Sequence, residues 1–85
     1  MGTKAKPSTY DCYANLDPDE PYFLLMGRDL LASHLVRMWA KSRQAMIDAG
    51  TKPSTDQAQV NEALRCADEI DMWRVLRGKA VVPQG

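Results

Sequence analysis

The chain has 85 residues, enough for one small domain, and folding at that size removes only about 60% of the unfolded surface from water, so such chains often need a staple or a partner. Eleven Lys and Arg balance eleven Asp and Glu, and a net charge of zero argues against a general nucleic-acid binder, which must neutralise several phosphates. Two distant cysteines, Cys12 and Cys66, and the single histidine His34 cannot furnish the four ligands of a zinc site, and no apolar run approaches the ~18 residues of a membrane span. A reduced, cytoplasmic protein without metal, other cofactor or membrane segment is the expectation.

In chain order, residues 1–9 are polar, carry Lys4, Lys6 and Pro7, and read as a flexible tail. Residues 10–28 form a leader. Asp17-Pro18-Asp19-Glu20 has the composition of a turn, and the run Tyr22 to Met26 is compatible with a short strand, an extended strap or one turn of helix. An extended strap lying on the helices is expected. The first helix is predicted over 29–49, from Asp29 as N-cap to Gly50 as its C-terminal stop. On it Leu31, Leu35, Met38, Trp39, Ala45 and Met46 share one side, with Ala32, Val36 and Ile47 widening it. A single partner helix cannot cover an arc that broad. His34, Arg37, Lys41 and Gln44 make the opposite, polar stripe.

The second helix is predicted over 55–77. Ser54 and Gln57 have the spacing of a capping box, Asp56 suits the positive end of the helix dipole, and Gly78 ends it. Its apolar stripe is Val60, Ala63, Leu64, Ala67, Ile70 and Trp73, with Cys66 at the edge. Glu62, Arg65, Asp68 and Glu69 make a solvated face. Residues 79–85 form a second flexible tail. The short connection around Gly50 to Ser54 makes the helices antiparallel neighbours. The fold class is therefore all-α, an antiparallel helical hairpin with an N-terminal extended strap. So thin a pair leaves part of Trp39 and Trp73 wet, and homo-oligomerisation is expected to complete it.

No catalytic signature stands out. His34 has cationic helical neighbours, and Asp17, Asp19 and Glu20 lack the further oxygen ligands and the glycine of a calcium loop. Arg28, next to a helix N-terminus, has the chemistry to clamp a phosphate, against the plainer reading of an ion pair with Asp29, Asp17 or Glu20. Tyr10 and Tyr13 can stack on a base or pack against Trp39.

Cys12-Tyr13, then Asp19-Glu20-Pro21 with Phe23 and Leu25, then Arg28-Asp29 and a Trp-bearing helix, together resemble small uncharacterised proteins of bacteriophages and prophages over most of residues 12 to 77. Tyr13, Glu20-Pro21 and Arg28, with Pro53-Ser54, Glu62-Ala63 and Ala67-Asp68, also resemble the phage anti-CBASS sponges. Those are small helical proteins that assemble into hexamers and sequester cyclic nucleotides without cleaving them. Asp68 stands where the sponges prefer Asn. The resemblance implies that Tyr13 stacks on a nucleobase and Arg28 holds a phosphate. The expectation is thus a phage-encoded, non-enzymatic counter-defence protein that binds a small cyclic nucleotide through Tyr13, Asn15 and Arg28, with Arg37 and Lys41 as further cationic contacts. A rival expectation is an inhibitor or adaptor that docks on a host protein through Met38, Trp39 and Met46 or through the strap.

Overall fold

The computed structural model describes residues 2–6 and 16–81, and over them the chain forms α1 (Ala32–Asp48), a 3-10 turn (Ser54–Asp56) and α2 (Gln57–Leu76). The two helices pack directly on each other as the expected hairpin. Tyr13 and Asn15, like Tyr10 and Cys12, lie outside the described residues.

Both helices stop at glycines for the same reason. Gly50 and Gly78 have φ of +80° and +67°, a left-handed conformation that side chains with a Cβ rarely adopt. At the end of α1 the Gly50 amide donates to Ile47 O (3.0 Å) and the Thr51 amide to Met46 O (2.9 Å). At the end of α2 the Gly78 amide donates to Val75 O (3.0 Å) and the Lys79 amide to Arg74 O (2.8 Å). Each pair is a Schellman ending that gives the last carbonyls their partners.

The beginnings differ from the sequence expectation. Asp29 caps an introductory turn: its Oδ1 accepts the Leu31 amide at 2.9 Å and its carbonyl accepts that of Ala32 at 3.1 Å, so α1 itself starts at Ala32. Ser54 makes no side-chain cap bond. The 3-10 turn takes up the entry to α2, and the Gln57 amide nitrogen instead donates across to Gln44 Oε1 (2.7 Å) and along α2 to Asn61 Oδ1 (3.1 Å). Arg43 on α1 reaches Asp56 at 3.4 Å and helps hold that corner.

The contact between helices is made of small side chains. Ala40 on α1 meets Val60 and Ala63 on α2, with Val36 and Ile47 packed against them, and Ala32 and Ala67 are likewise essentially inaccessible. Alanine allows the backbones to approach closely but removes little apolar area from water per residue. The wide apolar arc of α1 is consequently split. Its Ala32–Val36–Ala40–Ile47 flank is packed, whereas Leu35, Met38 (53% exposed), Trp39 (37%) and Met46 face outward. The α2 residues buried here, Val60, Ala63 and Ala67, are small, and the large side chains of α1 lie outside this contact. Trp73 is likewise about a third exposed, at 36%. Each indole carries an arginine from the next turn of its own helix, Arg43 at 5.2 Å from the Trp39 ring centre and Arg77 at 4.3 Å from that of Trp73.

The leader contains the expected turn: the Glu20 amide donates to Asp17 O at 3.0 Å, and Glu20 Oε1 accepts the Asp17 amide at 3.1 Å. From Pro21 to Met26 there is no regular secondary structure. Phe23 is 83% exposed and Leu24 is also open, so this run does not lie on the helices as a packed strap. The chain rests on α2 at Gly27, where a Cβ would lie 3.7 Å from Trp73 Cε3 and 4.0 Å from Ile70 Cγ1.

Because Ala63 is fully buried in the core between the helices, Ala63→Leu is expected to lower stability by about 1–3 kcal/mol through overpacking. Urea denaturation followed by far-UV circular dichroism measures it; an unchanged midpoint would place the helix contact on another face.

Candidate functional site

The α2 residues Cys66, Glu69, Ile70 and Trp73 recur at helical spacing and form a face beside the one that packs on α1. Met26, Gly27 and Arg28 of the leader lie over this face, and the space between them is a cavity of about 430 Å³, with Gly2 and Thr3 closing one side. That volume is within the range of small-molecule sites. Its walls are mainly apolar, from Ile70, Trp73 and Met26, with one cation (Arg28), one carboxylate (Glu69) and the free thiol of Cys66.

Arg28 is the distinctive member. Its carbonyl is tied to α2, but among the described residues its guanidinium has no carboxylate within ion-pair distance; Nη2 meets only the Met26 thioether, at 3.3 Å. Of the three carboxylates that the plainer sequence reading would pair with it, Asp29 bonds the Leu31 amide and Glu20 the Asp17 amide, and Asp17 makes no ion pair with it. An arginine so placed retains most of its donors for a ligand.

Arg37 and Lys41 line a different groove, of about 410 Å³, between α1 and α2 with Gln44, Asp48, Val60 and Leu64. The structure does not bring them to Arg28. Arg37 forms an interhelix clamp, with Nη2 2.7 Å from Asp68 Oδ1 and Nη1 2.8 Å from Asp71 Oδ2. Asp68, read from sequence as part of a solvated face, is one jaw of that clamp. Partial burial alone would lower the Arg37 pKa, but the hydrogen bonds and charges of Asp68 and Asp71 outweigh it and raise the pKa. Burial alone would likewise raise the Asp71 carboxyl, yet Ser33 and the Arg37 guanidinium beside it, with the charge of Arg74, hold it below the usual carboxylate range. Lys41 has no ion pair among the described residues.

The sequence reading placed Glu69 on a solvated face, did not name Arg74, and assigned Ile70 and Trp73 to an apolar stripe. Their shared helix face with Cys66 is a signal that the periodicity already contained. Among the described residues no cluster of His, Cys, Asp and Glu is arranged to hold a metal ion, and no helix is long and apolar enough to cross a membrane. Comparison with protein-family models, curated proteins and solved structures gave no match, so the chemistry of the site is argued from its own residues.

The Asp71 shift has a pH consequence. A carboxyl held below its unfolded pKa adds stability that is present above about pH 4 and fades as the pH falls through the folded value. Asp71→Asn should therefore melt below the wild type at neutral pH, with the gap closing as the pH falls below the ordinary carboxylate range. Melting curves across that range check it; a gap independent of pH would show that Asp71 acts through shape rather than charge.

Proposed function

We propose that this protein is a non-catalytic binding protein that captures a small anionic nucleotide in the cavity between the leader and α2. The observation that carries the reading is the Arg28 guanidinium, which faces no carboxylate among the described residues and lies at a cavity walled by Trp73 and Ile70. A nucleotide has a counterpart for each wall: its phosphate for Arg28, its base for the apolar surface, and a base N–H for the Glu69 carboxylate. Zero net charge does not oppose this, since one such ligand needs only one or two local cations. Tyr13 and Asn15 enter the reading as further contacts from the leader, while Arg37 and Lys41, in the other groove, do not. The likeness to the sponge proteins supports a cyclic nucleotide as the ligand, self-association as the assembly, and phage counter-defence in the cytoplasm of an infected bacterium as the setting.

A second reading is favoured by the outward flank of α1. Leu35, Met38, Trp39 and Met46 form an apolar surface on one helix, and in this reading a host protein docks there. The two readings treat that surface differently. In the first it is covered by copies of the same chain; in the second it stays open until the host protein arrives.

A panel of cyclic di- and trinucleotides tests the first reading through the melting temperature, with native mass spectrometry for subunit number. A ligand at a hundred times its Kd adds about 2.7 kcal/mol of stability. The expected result is a clear shift that Arg28→Ala abolishes, with the nucleotide recovered intact. A flat panel at saturating concentration discards the nucleotide reading, and a monomer under those conditions favours docking through α1.

A further inference from the structure

Arg74, in the last turn of α2, is only 6% exposed, and a guanidinium out of water needs its donors matched. Three backbone carbonyls engage its Nε and Nη1 donors. Nε donates to Ala80 O at 2.6 Å, and Nη1 donates to Arg28 O at 2.8 Å and Gly27 O at 3.3 Å.

These partners have a geometric consequence for Arg28. The carbonyl of Gly27 belongs to the peptide plane before the Arg28 Cα, and the carbonyl of Arg28 belongs to the plane after it. A planar peptide leaves only the two dihedrals at the Cα free, so holding both planes fixes them and with them the direction of the Cα–Cβ bond. One guanidinium thus sets the backbone position and the direction from which the neighbouring arginine side chain starts. The Ala80 carbonyl adds the remaining constraint, because a bond at Nε fixes the rotation of the guanidinium plane and so the edge presented to the leader. The local turn agrees with this arrangement: the Asp29 amide donates to Met26 O at 2.9 Å, and Gly27 rests on Trp73 and Ile70.

We propose that Arg74 is a positioning residue for the cavity, which aims Arg28 into it by holding the Gly27 and Arg28 carbonyls while Ala80 holds Arg74 in turn. The consequence for affinity rests on the nucleotide reading above; the consequence for the leader does not. Lysine keeps the charge, but a single ammonium lacks the planar fork that spans the carbonyls of two chain segments.

The test is Arg74→Lys in the full chain, read by amide hydrogen exchange and by binding. Exchange at the Asp29 and Leu31 amides should accelerate by about tenfold or more, the scale of one lost charge-assisted hydrogen bond, while amides in the middle of α1 and α2 keep their wild-type rates. Affinity for the nucleotide that shifts the wild type should fall on a similar scale, and Arg74→Lys should cause little further loss in the Arg28→Ala background. Unchanged exchange at Asp29 and Leu31 overturns the proposal, and so do additive losses in the double variant. If no nucleotide shifts the wild type, the binding reading fails and the exchange data decide the role of Arg74 by themselves. Should Arg74→Lys also unprotect the helices, Arg74→Gln is the second variant: restored helix protection with fast Asp29 exchange supports the proposal, and helices unprotected in both make Arg74 a general structural residue and overturn it.

Discussion

The close approach of two alanine faces determines the rest of this molecule. Ala32 and Ala40 on one helix and Ala63 and Ala67 on the other are the buried apolar positions, joined by no larger apolar side chain but Val60. The larger apolar side chains are therefore displaced to the two outer flanks. On α1 they form the exposed row around Met38 and Trp39; on α2 the flank that includes Ile70 and Trp73 becomes the wall of a cavity once the leader crosses it. A core with leucines at these positions would have held the helices farther apart and absorbed more of its own apolar surface.

A core with so little area leaves a substantial part of the specificity to polar groups, and three arginines divide that role. Arg37 joins helix to helix, gripping Asp68 and Asp71 across the alanine contact. Arg74 joins helix to loop through carbonyls, a use that leaves no charge partner behind in the leader. Arg28 joins nothing but a thioether among the described residues. The same side chain type is thus a clamp, a backbone anchor and an open donor, and only the surroundings distinguish them.

Much of the architecture was legible in the sequence because it is governed by local chemistry. Gly50 and Gly78 mark the helix ends through a backbone conformation that they alone adopt readily, and Asp17 to Glu20 forms its turn within four residues. The helix starts were less legible, since Asp29 and Ser54 are good caps in principle and a short turn placed before each helix took over that function. Which flank of the α1 arc would pack was not legible at all. Hydrophobic content favoured the Leu35–Trp39 side, and the decision was made by the size of residues on the partner helix. Arg28 was visible as a candidate cation, but whether Asp29, Asp17 or Glu20 would neutralise it depends on the placement of all three. Arg74 gave no signal because its partners are main-chain carbonyls, which every residue possesses.

The pairing of each tryptophan with an arginine four residues later, Trp39 with Arg43 and Trp73 with Arg77, bears on the behaviour of the chain in concentrated solution. Bare indoles on a neutral protein invite indiscriminate sticking, because there is no long-range repulsion to keep molecules apart. A guanidinium laid over the ring puts a hydrated, charged surface where an oily one would be, yet it is attached by a flexible stem and can swing aside. Each indole therefore has a hinged cover encoded one helical turn away. Colloidal stability and the readiness to engage a ring are set by the same two residues.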